Sequence, residues 1–386
     1  MMKLSERLSA ISPSVTLQIT AKAKELKAHG EDVVSFGAGE PDFDTPDYIK
    51  KAAIDALNKG MTKYTVASGT VELKDAIVKK FKEENNIEYT HSQVIVSCGA
   101  KHSLYNTFRA ILNEGDEVIL PVPYWLSYPE MIKSCGGVVV PLETTIENGF
   151  KISVSELKKK ITNKTKALVL NSPSNPTGSM YTENELLEIA NEAVNDNFFV
   201  VSDEIYEKLV YDNMPFVSIA SLNDEIKKRT ITINGMSKAF AMTGWRIGYL
   251  AADSAVAKVV AAFQSHTTSN PTSFAQAGAL AALTEKSDAV ETMRKHFEAR
   301  RNMMYDLLTA IKGIETFKPN GAFYMFCDVS KTGMKSIEFA NKLLQEKKVA
   351  VIPGEAFGTD RCVRLSFATS EENIEKGIAR IKEWLK

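Results

Sequence analysis

One lysine stands in an unusual setting. The segment 234–248 reads NGMSKAFAMTGWRIG, so Lys238 follows a β-rich run and is flanked by small and apolar side chains. Such surroundings disfavour an ammonium ion and lower the amine's pKa, as a lysine that forms a Schiff base requires. The ordinary alternative is a solvated lysine. Arg246, in the same segment, changes the balance, because a guanidinium beside a reactive amine suggests a bound anion such as phosphate.

Further polar groups stand where apolar runs stop. NSPSNPTG at 171–178 ends one run and opens a loop rich in turn formers. It is either a plain strand-to-helix turn or a place where Asn175 offers its amide to a ligand oxygen. FFVVSDEIY at 198–206 leaves Asp203 at its end. That carboxylate either caps the following turn or holds a pyridinium nitrogen protonated, turning a ring into an electron sink, with Tyr206 in reach of the ring's phenolic oxygen. IVSCGAKHSL at 95–104 reads as strand, small-residue turn and helix start, whose backbone N–H groups and helix dipole suit a phosphate. It has neither the P-loop nor the GxGxxG pattern, and Gly37-Ala-Gly39 also lacks a third glycine. Arg364, within CVRLSF at 362–367, sits in a strand where an unpaired cation is costly, so either a protein or a substrate carboxylate must meet it. Trp125, in PYW at 123–125, offers a flat aromatic face or simply packs in the core.

These groups need a frame. Between about 90 and 250, β-rich runs at 94–97, 118–120, 138–142, 167–171, 198–202 and 230–234 alternate with helical patterns, several being apolar throughout. Strands buried on both faces of a parallel sheet look like this. Thr182 with Glu185 forms a capping box ahead of an apolar helix. The pattern predicts a doubly wound α/β domain whose ligands lie at the carboxyl ends of its strands. Beyond 250, helices are expected at 254–265, 271–285 and 287–312, strands near 322–329, 349–352 and 363–367, and a final helix after Ser370. That mixture suggests a smaller α+β domain. The expected division is a large cofactor-binding domain at 46–285 and a small domain at 286–386, with an N-terminal arm at 1–45 belonging to the latter.

The 386 residues carry 47 basic and 48 acidic side chains, so no overall positive field draws nucleic acid or anionic lipid. Cys98, Cys135, Cys327 and Cys362 form no CxxC pair, and no HExxH occurs, so no metal is expected. The start of the chain lacks a signal-peptide pattern and no window approaches a membrane span of ~20 apolar residues. A cytoplasmic enzyme is the expectation.

Together the motifs resemble the fold-type I, class I aminotransferases, specifically the bacterial and archaeal aspartate aminotransferase subgroup. The likeness runs over essentially the whole chain: GAGEPDFDTP at 37–46, KYT at 63–65, PYW, NSPSNPTG, SDEIYE at 202–207, SKAFAMTGWRIGY at 237–249 and GAFY at 321–324. It implies pyridoxal 5'-phosphate as cofactor, carried on Lys238, which then shuttles the substrate's proton. It implies that Asp203 pairs with the pyridinium, that Asn175 and Tyr206 bond the phenolic oxygen, and that Trp125 stacks on the ring. Gly99, Ala100, Ser237 and Arg246 would hold the phosphate, with Tyr64 supplied by a neighbouring subunit of a homodimer. Arg364 would bind the α-carboxylate, helped by Gly39 and Asn175, and Lys101 the distal carboxylate of a dicarboxylic amino acid.

Gly235 departs from the phosphate-contacting serine common in the wider family, and Cys98 and Ala100 replace more usual small residues. The implied reaction is ping-pong transfer from aspartate to 2-oxoglutarate. Aromatic or prephenate substrates, a β-lyase or racemase on the same scaffold, and an idle cofactor-binding module are the alternatives. The stretch 11–16 is expected to form a lid that tunes the choice.

Overall fold

The computed structural model describes residues 4–9 and 11–386; residues 1–3 and 10 of the N-terminal arm expected at 1–45 lie outside them. In chain order the strands are β1 (Val34–Ser35), β2 (Val94–Ser97), β3 (Glu117–Val122), β4 (Val138–Glu143), β5 (Thr165–Asn171) and β6 (Phe199–Asp203). They continue with β7 (Thr230–Gly235), β8 (Gly248–Ala251), β9 (Tyr324–Asp328), β10 (Val349–Ala350), β11 (Ile352–Pro353) and β12 (Cys362–Ser366).

Seven of them form one sheet in the order β2-β8-β7-β6-β5-β3-β4. Neighbours pair in parallel except across β8, which runs against both β2 and β7. The apolar runs have the reason the sequence suggested: alternate residues feed cores on opposite faces. Val118, Leu120, Val169, Val201 and Ile233 pack with the helices Ala100–Ile111 and Ser254–Ser265. Ile119, Leu168, Leu170 and Val200 pack against the helix Glu183–Asn195, which the Thr182–Glu185 capping box starts. This is an α/β fold of type I.

A second core surrounds the antiparallel sheet β11-β12-β9 and the helices Ala289–Thr309, Ser336–Lys347 and Glu371–Trp384. Ser370 caps the last of these, accepting from the Asn373 N–H. The apolar run at 349–352 does not form one strand. Val349–Ala350 pairs in parallel with β1, whereas Ile352–Pro353 pairs with β12, so the run is shared between two sheets. Similarly, the strand expected from 322 begins at Tyr324, because Ala322 has φ 58° and its carbonyl accepts from the Tyr211 hydroxyl.

All four cysteines are free. Among the described residues, no helix is long and apolar enough to cross a membrane, and no cluster of three metal-ligating side chains occurs.

Candidate active site

In an open α/β sheet, ligands gather outside the carboxyl ends of the strands. Here Ala100 follows β2, Trp125 follows β3, Asn175 follows β5, Asp203 ends β6, and Ser237 and Lys238 follow β7. Because β8 is antiparallel, its beginning lies at that same edge, and Arg246 just ahead of Gly248 is delivered there too. Arg364 comes from the other sheet, in the middle of β12 between Ile352 and Phe326. These side chains, with Gly39, Lys101 and Tyr206, line one cavity of about 720 Å³.

Asp203 is 4 % exposed. Its Oδ2 accepts from the Tyr128 hydroxyl at 2.7 Å and its Oδ1 from the Ile205 N–H at 3.2 Å. Burial pushes its carboxyl up to about 6, while those two hydrogen bonds and the charge of Lys238 pull it back. Asn171 fastens the neighbouring strand ends: its amide donates to the Asp203 carbonyl at 2.9 Å and its Oδ1 accepts from the Asn175 N–H at 2.8 Å.

Lys238 donates to the Gly39 carbonyl and lies 5.6 Å from the centre of the Phe323 ring and 5.8 Å from that of Tyr206. Burial pulls its amine down to about 8; Glu40 and Asp203 oppose this, and Arg364 and Arg246 reinforce it. Glu40 is anchored through Thr243, whose hydroxyl donates to Glu40 Oε2 at 2.6 Å and whose carbonyl accepts from Arg246 Nη1 at 2.7 Å.

Arg246 leans on Gly99. A Cβ at Gly99, where φ is 91°, would stand 2.4 Å from Arg246 Nη2, so the glycine is what allows the guanidinium to approach the turn. Gly99 also leaves the first N–H groups of the helix Ala100–Ile111 without a side-chain cap. Lys101, in that first turn, holds its Nζ 4.8 Å from the centre of the Trp125 ring. Partial burial, and then Arg246, lower its pKa.

Arg364 is 3 % exposed. Its Nη1 donates to Asn175 Oδ1 at 2.9 Å and its Nη2 to the Gly37 carbonyl at 3.2 Å, while its Nε has no partner. The guanidinium carbon lies 4.4 Å from the centre of the Tyr324 ring, and the Tyr324 hydroxyl is 2.9 Å from that of Tyr206. Neither Arg246, Arg364, Lys101 nor Lys238 pairs with a carboxylate among the described residues, although a cation as buried as Arg364 ordinarily does. Such a set can receive an anionic ligand of more than one charge.

Two sequence-expected residues stand apart. Gly99 sits behind Arg246 and does not line the cavity. Tyr64 is 88 % exposed and lies away from it. Conversely, sequence reading passed over Tyr128, Asn171, Glu40 and Thr243. Tyr128 carried a signal, since it follows Trp125 at helical spacing and packs edge-on against it with ring centres 5.2 Å apart. Tyr324 was visible only as part of GAFY. In the expected lid, Thr16 lines the cavity and the Ser12 N–H donates to Glu130 at 3.3 Å.

Comparison with known proteins gives the family. The family model for aminotransferase class I and II matches residues 31–381. The aspartate aminotransferase of Bacillus subtilis is 53 % identical, the match covering 100 % of this chain and 99 % of that protein. A protein of Aquifex aeolicus described as a probable aspartate/prephenate aminotransferase is 51 % identical over 99 % of this chain and 98 % of its own length. The structure of aspartate aminotransferase from Thermus thermophilus with maleate superposes with a TM-score of 0.96 at 44 % identity, covering 99 % of this chain and 100 % of that one. The chain therefore belongs to the class I and II aminotransferases, enzymes that work with pyridoxal phosphate.

Proposed function

We propose that the chain moves the amino group of aspartate to 2-oxoglutarate, using one pocket for both acids in turn. The observation that carries this reading is the arrangement of unpaired cations around Lys238. Arg364 would take the α-carboxylate in the bidentate way that its unpartnered Nε and the remaining N–H of its Nη groups allow, aided by the Gly39 backbone and Asn175. Lys101, in the same cavity, would take the distal carboxylate.

The residues fit pyridoxal phosphate on chemical grounds. Arg246, Ser237 and the open N–H groups at the Gly99–Ala100 turn would hold its phosphate. Asp203 would face the ring nitrogen, Asn175 and Tyr206 the phenolic oxygen, Trp125 the ring face, and Lys238 would tether the carbonyl carbon. When bound, the cofactor supplies the electron sink that makes an amino acid's α-proton removable. Asp203 sustains that sink by staying ionised, and a cation opposite it would bring its pKa below the value burial alone imposes. The Lys238 Nζ, already near neutrality, is placed to accept the α-proton and return it. Tyr128 keeps Asp203 fixed while this happens.

Exposure of Tyr64 supports a homodimer in which this residue enters the neighbouring site. Pairing of β1 with β10 supports assigning 1–45 to the small domain at 286–386, apart from the large domain at 46–285. The balanced charge suits a cytoplasmic enzyme. Prephenate as an alternative acceptor is favoured by the Aquifex relative's description. Initial rates with a panel of donors at fixed 2-oxoglutarate test the proposal. Aspartate should exceed phenylalanine and alanine by at least about tenfold in kcat/KM. Release of pyruvate and ammonia from aspartate-free, serine- or cysteine-type donors at higher rates would instead favour a lyase.

A further inference from the structure

The cavity extends beyond the reacting groups to the inner side of the helix Val15–Ala28, where Thr16, Thr20, Lys24 and Lys27 line it. Residues at this spacing share one helical face. Lys24 and Lys27 are exposed, and among the described residues neither pairs with a carboxylate. The acid of this helix, Glu25, is engaged off the cavity with Lys22 at 3.0 Å. The cavity's own carboxylates are committed as well, Glu40 to Thr243 and Asp203 to Tyr128. Lys24, Lys27, Lys101, Lys238, Arg246 and Arg364 thus face one space whose acids are Glu40 and Asp203, in a chain whose formal charge is only -1.

We propose that Lys24 and Lys27 form a cationic mouth that gathers dicarboxylic amino and 2-oxo acids, net charge about -1 and about -2 near neutral pH, and steers them inward. This inference rests on the dicarboxylate reading given above. A cofactor phosphate would offset Arg246, leaving the rim lysines to act on the incoming substrate together with Lys101 and Arg364. Clefts lined by one sign of charge raise the local concentration of the opposite ion, an effect that scales with ligand charge and is screened by salt. The rim lysines stand apart from the Lys238 amine that does the chemistry. Their contribution therefore belongs to capture and falls on KM rather than kcat.

The test is steady-state kinetics of the holoenzyme and a Lys24→Gln/Lys27→Gln variant, with aspartate and with alanine as donors, at low and high ionic strength. At about 0.01 M salt, where the Debye length is about 30 Å, the variant should raise KM for aspartate and 2-oxoglutarate roughly three- to tenfold, with a smaller rise for alanine. At about 1 M salt the difference should vanish. Lys24→Arg/Lys27→Arg should restore KM, and Lys22→Gln on the same helix should leave it as it was. An equal effect on aspartate and alanine, a salt-independent effect, or no effect in an enzyme that does prefer dicarboxylates would overturn the proposal while sparing the substrate assignment. If the unaltered enzyme shows no preference for dicarboxylates, both fall together.

Discussion

The floor and the roof of the cavity are held in opposite ways. On the floor, Asp203, Asn175 and Arg364 are buried and each makes at least two hydrogen bonds, with Asn171 tying two strand ends together. The roof is the helix Val15–Ala28, of whose 14 residues only Ala23 is buried, in a small cluster with Val33, Leu344 and Ala350. Groups that must meet reacting atoms within fractions of an ångström belong on rigid, fully satisfied elements. Groups that gather or sort substrates act at longer range, and a lightly held helix suffices for them. Substitutions on the floor should therefore strike turnover, and those on the roof should strike selectivity.

The largest effect is expected at Lys238. Lys238→Ala should lower kcat by at least about 10⁴-fold while the protein still retains cofactor after gel filtration; a variant keeping a tenth of its turnover would break the comparison at its centre. Asp203→Asn should follow, with kcat/KM for aspartate down by about 10²- to 10³-fold. Its folded state should gain resistance to rising pH, because the buried carboxyl near 6 lies above its unfolded value and costs stability as pH climbs through that range. Urea midpoints from about pH 4 to about 7 would check this sign.

A third test concerns the amine. Since the Lys238 pKa is depressed from the ordinary 10.5 to about 8, its burial costs nothing at high pH, and stability falls as pH drops from about 10.5 to about 8. Capture of cofactor by the apoprotein, which needs the neutral amine, should accelerate as pH rises through about 8. Glu40→Gln should move that midpoint downward, because the Glu40 charge holds the proton on Lys238. An unmoved midpoint would show that Glu40 acts only through its hydrogen bond to Thr243. The smallest effect belongs to the roof. Leu17→Ala, at a 70 % exposed position lining the cavity, should change stability by less than about 0.5 kcal/mol yet alter the relative KM of aspartate and aromatic donors.

The same contrast governs what the sequence discloses. Lys238 was legible because its apolar neighbours are adjacent in the chain, and Asp203 and Asn175 because each follows an apolar run buried on both faces. Tyr128 was not, because its role depends on the end of β6 meeting a helix 75 residues earlier in sequence. The short β8 begins at the tail of the motif that surrounds Lys238, and its reversed direction explains how Arg246 reaches the strand ends. The run at 349–352 concealed its division because periodicity does not say which neighbour a strand meets. Lys24 and Lys27 carry no signal in the sequence, because only the fold brings them to the cavity.

The most direct test of the account is a single half-reaction. Purified enzyme carrying pyridoxal phosphate is mixed with aspartate and no acceptor, and oxaloacetate, ammonia and the visible absorbance of the bound cofactor are followed. One equivalent of oxaloacetate per chain, no free ammonia, bleaching of the absorbance and its return on adding 2-oxoglutarate are the predicted results. Continued release of ammonia, or a Lys238→Ala variant that completes the same exchange at a comparable rate, would contradict it.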